Sequence, residues 1–245
     1  MLTQIANIAF CLLLFVSIVR SGERIVVIDA GHGGSKPSGS QKARTLSSPN
    51  NARSPGGLLE KDLTLELAQK VIGCLNSLPA ARKAGLRAIP TRTGDVNPDF
   101  AARAKVAADQ GALIFVSIHF NAVPARSAKA SGTLGIVQMK SRNPHYQTDV
   151  AFASRLTKAA NQAIRTWLPA SRALPTGDDH ELHGGMGSNL FHQLRAQMKS
   201  PITACFLEVE FMDNPAVEAA ILKGNRSKVF DAVAAALAQS IVEGQ

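Results

Sequence analysis

Aromatic side chains are scarce in this chain: one Trp and one Tyr stand among 245 residues. So little Trp and Tyr argues against a stacking platform for single-stranded nucleic acid, whose bases need exposed aromatic faces. Cysteine is nearly as rare. Of three, Cys11 falls in an apolar leader, leaving Cys74 and Cys205. Each of these sits among apolar neighbours, in a predicted helix and a predicted strand. Two buried, unpaired thiols are therefore expected, although an exported chain would permit a disulfide. Charge is missing altogether from the first nineteen residues, and Ile5 to Val19 is almost wholly apolar before Arg20, Glu23 and Arg24 end the run. The length suits the core of a signal peptide better than a membrane span of about 20 residues. No Lys or Arg precedes it, and no small-x-small cleavage site stands before Ser21 and Gly22. Residues 1–22 are thus read as a signal peptide or an uncleaved N-terminal anchor, and both place residues 23–245 outside the cytoplasm. Internal repeats and a linker to a second module are also lacking, so residues 23–245 read as one domain.

What is present is an ordinary globular composition, 45% hydrophobic and 18% charged, with 27 Lys+Arg against 18 Asp+Glu. The net charge of +9 favours a polyanionic partner without choosing among nucleic acid, anionic membrane and acidic wall polymer.

Strands and helices alternate. Ile25 to Ile28 is a short β-branched run of the buried-strand kind, followed by the turn Gly31-His32-Gly33-Gly34. Residues 35–57, rich in Ser, Pro, Gly, Asn and basic side chains, form a long loop of a length usually tied to function. Leu63, Leu67, Val71 and Leu75 recur at helical spacing from about Glu60 to Leu78. An alanine-rich helix is expected over 95–110, strands over 113–118, 132–139 and 205–211, and helices over 149–167 and 227–242. A Gly-, Pro- and His-containing loop covers 169–188. The order implies an α/β domain with a largely parallel sheet and helices on both faces.

In such sheets ligands bind beyond the carboxyl ends of the strands. The first strand ends at Asp29 with His32 close behind, the second ends at His119 followed by Asn121, and the last contains Glu208. Glu60 lies where the long loop hands over to a helix. Each alone has an ordinary structural reading: His32 as a turn hydrogen bonder, His119 as a core histidine, Glu60 as a helix-dipole partner. Glu208 is harder to explain so, because it interrupts an apolar strand and an unpaired buried carboxylate costs several kcal/mol. Together they offer nitrogen and oxygen donors of the type a metal centre uses, with room for an open position.

At these residues the sequence resembles the zinc-dependent N-acetylmuramoyl-L-alanine amidases of the third amidase type. The resemblance rests on separated motifs in family order: Val27 to Gly34; Gly57 to Leu65; Thr91-Arg92, Asp95, Arg103 and Val116 to Ala122; and Phe206 to Phe211 with Asn214-Pro215. It implies a phosphorylase/hydrolase-like fold and one Zn²⁺ per chain bound by His32, Glu60 and His119. Glu208 would be the catalytic carboxylate, and the bond cut would be the amide between N-acetylmuramic acid and L-alanine. Asn121, Arg92 and Glu210 are expected at the substrate. Glu210 stands where the family has a small residue; two positions from Glu208, it should share that strand face, with solvent or Arg195 as its alternative destination. The loop between His32 and Glu60 is longer than is usual in the family.

The segment from Gly177 to Gly185 concentrates His180, His183, Asp178, Asp179 and Glu181. It lacks the i, i+4 histidine spacing of a helical zinc motif and reads as a substrate-facing loop. Some members of the family block the metal with a segment at this place, which makes Glu181 a candidate regulatory residue.

The expected partners are peptidoglycan and, as an option, an activating protein. Nucleic acid is not expected, and membrane only through an uncleaved leader. Two other readings stay open: an exported carboxypeptidase-like zinc peptidase, which would need an arginine such as Arg92 or Arg195 for a terminal carboxylate, and an inactive peptidoglycan-binding protein.

Overall fold

The structure, a computed structural model, describes residues 22–123, 130–180 and 185–244. Strand β1 (Arg24–Ala30) leads through the long loop into α1 (Glu60–Ser77), the short α2 (Pro79–Lys83) and β2 (Leu86–Pro90). Then come α3 (Phe100–Asp109), β3 (Ile114–Asn121), β4 (Leu134–Val137), α4 (Tyr146–Ile164) and β5 (Gly177–Asp178). The chain closes with α5 (Asn189–Gln197), β6 (Thr203–Phe211), α6 (Pro215–Val217) and α7 (Arg226–Glu243). The six strands form one sheet in the order β2-β1-β3-β6-β4-β5, and only the β4–β6 pairing is antiparallel. The expected α/β domain with a mostly parallel sheet is what is found.

Both faces of the sheet are covered, which is why its central strands read as continuous apolar runs. Alternation sends Val26, Ile28, Val116, Ile118, Cys205 and Leu207 to one core with α1, α4 and α7, and Ile25, Val27, Phe115 and Ala204 to a second, smaller core with α3 and α5. Among the described residues no helix is long and apolar enough to cross a membrane. Cys74 and Cys205, the cysteines among the described residues, are free thiols; Cys205 is buried, whereas Cys74 is only partly covered.

Several elements depart from the sequence reading. Strands β2 and β5 and helices α2, α5 and α6 were not expected. The helix expected from Asp95 begins only at Phe100, because Pro98 holds the preceding chain extended and Asp99 caps the first turn by accepting from Ala102 N at 2.8 Å.

Candidate metal and catalytic site

The parallel register of the sheet brings the chemistry together. His119 of β3 pairs directly with Glu208 of β6, and Asp29 of β1 pairs with Ser117 of β3. Paired residues on neighbouring strands project to the same face, so His119 and Glu208 stand side by side at the carboxyl end. After His119 the ladder slips, and there Phe120 N–H donates to Glu60 Oε1 at 3.1 Å. Such irregularities next to sites re-aim the chain.

The turn after β1 carries His32 at φ +59°, a left-handed conformation rare outside glycine. Arg103, buried beneath it, donates to His32 O at 2.7 Å and to Ala30 O at 2.7 Å, and pairs with Asp29 Oδ1 at 2.7 Å. Burial alone would raise the Asp29 carboxyl; Arg103, with Ser117 and Thr91 hydroxyls, outweighs it and holds Asp29 below the ordinary carboxylate range. Asp29 therefore anchors the turn and takes no part in ligation. Gly31 is needed for a different reason: a Cβ there would lie 2.2 Å from the His119 ring.

His32, Glu60 and His119 are all buried, and their candidate ligand atoms lie within 4.8 Å of one another. Glu60 Oε2 is 3.2 Å from His32 Nε2, and Glu60 Oε1 is 3.0 Å from His119 Nδ1. Ala52 N–H donates to Glu60 Oε2 at 3.2 Å, so the long loop also grips this carboxylate. His32 Nδ1 lies 3.1 Å from Ser48 O. A carbonyl can only accept, so Nδ1 is the donor to it, which leaves Nε2 as the atom able to offer a lone pair. That Nε2 is buried without a hydrogen-bond partner among the described residues. An unsatisfied imidazole nitrogen beside a second imidazole and a carboxylate fits a metal ion, and the Ser48 carbonyl is the outer contact that fixes such a ligand's tautomer. His119 stacks on Phe206 with ring centroids 3.9 Å apart, and burial pushes its pKa down, which keeps it neutral and fit to ligate.

The two carboxylates are driven apart. Burial would raise Glu60, but the hydrogen bond with His119 and the His32 imidazole close beside it prevail and hold it far below its ordinary value. For Glu208, burial first and the charge of Glu60 second push the carboxyl well above its ordinary value. Glu208 Oε2 is buried with no described partner. One carboxylate is thus built to stay charged and one to carry a proton, the division of labour expected of a ligand and an acid–base group.

These groups open into a cavity of about 560 Å³. Its floor includes His32, Glu60, His119 and Glu208, with Asn121 beside them; Pro37, Gln41, Leu46, Ser48 and Asn51 of the long loop form one wall, and Ser188 and Asn189 at the start of α5 another.

Two expected substrate residues are elsewhere. Arg92 is 4% exposed and spends its guanidinium on Ala30 O, Gly31 O, Lys61 O and Gly94 O, at 2.7 to 2.9 Å. It ties the turn to α1 and is absent from the cavity wall. Glu210 is fully buried, accepting from Gly132 N and from Ser171 Oγ at 2.6 Å. It reaches neither solvent nor Arg195, which instead pairs with buried Asp149 at 3.1 Å. Although Glu210 lies within β6, the Gly132 backbone and the Ser171 hydroxyl take its two carboxylate oxygens, and it does not line the cavity with Glu208. Glu181 and the leader lie outside the described residues. Sequence reasoning missed Ser48, Asn51 and Asn189; the length of the 35–57 loop was a signal for the first two, and none pointed to Asn189.

A family model described as N-acetylmuramoyl-L-alanine amidase matches residues 26–241. The chain is 32% identical over 114 residues to the N-acetylmuramoyl-L-alanine amidase AmiC of Neisseria meningitidis serogroup B, covering 46% of this chain and 23% of that protein. It thus spans about a quarter of that relative's length. The catalytic domain of CwlV, an N-acetylmuramoyl-L-alanine amidase from Bacillus (Paenibacillus) polymyxa, superposes with a TM-score of 0.60 at 27% identity, covering 90% of this chain and 97% of that one. The CwlD amidase of Clostridioides difficile, solved in complex with the GerS lipoprotein, shares the fold with a TM-score of 0.63 at 18% identity, over 91% and 98% of the two chains.

Proposed function

Because this chain belongs to the N-acetylmuramoyl-L-alanine amidase family, we propose that it hydrolyses the amide between N-acetylmuramic acid and L-alanine in peptidoglycan. His32, Glu60 and His119 would hold one Zn²⁺. The observation that carries the reading is the orphaned His32 Nε2 facing Glu60 beside His119, with the proton-carrying Glu208 across one ladder rung. Zinc bound there supplies a Lewis acid and lowers the pKa of water from 15.7 to near 7.

The protein's own groups do the rest. Glu208, as the carboxylate, takes a proton from the attacking water and, as the acid, delivers that same proton to the departing amine of L-alanine; the pKa that burial raises favours the second half of this transfer. Glu60 stays anionic and orients both imidazoles. The Ser48 carbonyl holds the His32 ring, and the stacked Phe206 holds His119. The apolar parts of Leu46, Phe100 and Phe206 thin the water around the reacting bond.

The peptidase alternative requires a guanidinium in the cavity. Arg92 and Arg195 are both committed to buried structure, and no Arg or Lys lines the cavity among the described residues; this favours the amidase. Export through residues 1–22 puts the protein where its substrate is, and an activating protein partner is part of the same proposal. Purified peptidoglycan digested by the protein and read by mass spectrometry decides the bond: free peptides beginning with alanine are expected. Shortened peptides still attached to sugar would establish the peptidase instead, and absence of any product the inactive binding protein.

A further inference from the structure

We propose that Asn189 is a substrate-binding residue whose side-chain N–H₂ donates to a carbonyl oxygen of the substrate, and that Arg44 is the positioning residue that turns it that way. The inference rests on the amidase reading and adds to it a contact on the wall of the same cavity.

Arg44 lies in the long β1–α1 loop at φ +54°; with His32 it is a non-glycine residue at positive φ. Its guanidinium reaches across to the start of α5. Nε donates to Asn189 Oδ1 at 3.0 Å, and Nη2 donates to Met186 O at 3.0 Å and Gly187 O at 3.2 Å. Gln193 of α5 answers by donating to Ala43 O at 3.1 Å and Arg44 O at 3.2 Å. These bonds join the two walls of the cavity and fix their separation.

The chemistry of the pair settles which way the amide faces. A guanidinium has donors only, so the Asn189 atom against Arg44 is the oxygen. The nitrogen is therefore the atom left over. Asn189 is 4% exposed, its Nδ2 donates to no described residue, and the atom is not sealed in, since Asn189 lines the cavity. A nearly buried amide with its acceptor occupied and its donors open is a device for binding an acceptor. Asn51 on the opposing loop, though exposed, also has its Oδ1 taken, by the Ser48 hydroxyl at 2.6 Å. Apart from Glu60 and Glu208 the described lining carries no charge, which suits a neutral carbonyl, as found in an acetamido group and in a peptide bond. A neutral donor held in place recognises such a group through the cost of leaving it unpaired.

The test is a set of variants assayed for KM and kcat on soluble muramoyl-peptide, with zinc content measured on each. Asn189→Asp keeps and strengthens the Arg44 contact but removes the donor. The proposal expects KM to rise about tenfold in Asn189→Asp and Asn189→Ala alike, with kcat and zinc content little changed. Arg44→Ala should raise KM less, and should add nothing in the Asn189→Ala background, because it acts through that amide. A substrate lacking the N-acetyl group names the source: the Asn189→Asp penalty disappears if the acetamido carbonyl is the partner and persists if a peptide carbonyl is. Wild-type kinetics for Asn189→Asp, or an additive double variant, overturns the assignment while leaving the amidase standing. A wild-type protein that splits no muramoyl-peptide overturns both.

Discussion

At the scale of single residues the account turns on two carboxylates with opposite environments. Replacing Glu208 by Gln removes the proton carrier while keeping the shape, and kcat should fall by about 10²- to 10⁴-fold; activity within a few-fold of wild type would take Glu208 out of the mechanism. The same substitution has a stability signature in metal-free protein. Burial, and next the charge of Glu60, raise the folded Glu208 pKa above its unfolded value. Between those two values the folded state holds a proton that the unfolded state has lost, so stability declines as pH rises through that window. Glu208→Gln abolishes this decline and leaves the apo protein more stable at its upper end, as pH-dependent melting will show; an identical pH slope in both proteins would refute the shift. Arg92 makes the converse case. Lysine cannot reproduce its fork to four carbonyls. Arg92→Lys should cost about 2–4 kcal/mol of stability and weaken metal binding, with KM of the metal-loaded protein unchanged. A raised KM at unchanged stability would return Arg92 to the substrate.

At the scale of elements, the turn after β1 is the most constrained piece of chain. Its Cβ-free approach at Gly31 lets the His119 ring pass, so Gly31→Ala should displace that ring. Zinc affinity measured by competition with a chelator is expected to drop at least about tenfold, in a protein whose far-ultraviolet circular dichroism is unchanged; wild-type affinity would show the ring has another way to sit. The elements legible in the sequence were those with a single dominant signal: the apolar runs of β1, β3 and β6, and the helical spacing of Leu63, Leu67, Val71 and Leu75 in α1. Strand β2 was hidden because it is a short edge strand, with Arg87 partly open to solvent and Pro90 at its end. Helix α5 was hidden because Asn189 and Gln193, polar in sequence, are buried, Gln193 against loop backbone and Asn189 against the Arg44 guanidinium. Arg92 and Glu210 were misplaced for the same reason. Periodicity shows which face a side chain takes, but not that a carbonyl or a serine hydroxyl from a distant loop will claim it first. His32, His119 and Glu208 could be read because they lie at or just after strands, and Glu60 because it opens α1 behind the long loop; register then brings the strand ends together.

At the scale of the whole molecule, the sheet supplies position and the charge supplies attraction. The net charge of +9 suits an acidic wall polymer, and long-range attraction of that kind is screened within about 10 Å at 0.1 M salt. Binding of an inactive Glu208→Gln variant to purified sacculi should therefore weaken steadily as salt rises; binding indifferent to salt would leave the basic surface without this role. Under the proposed function, peptide release depends on one metal ion in the His32–Glu60–His119 cradle. The most direct measurement is a zinc titration of chelator-stripped protein, following release of alanine-initiated peptides from peptidoglycan. The account predicts no release from stripped protein and full recovery that saturates near one zinc per chain. Undiminished release by the stripped protein would contradict it.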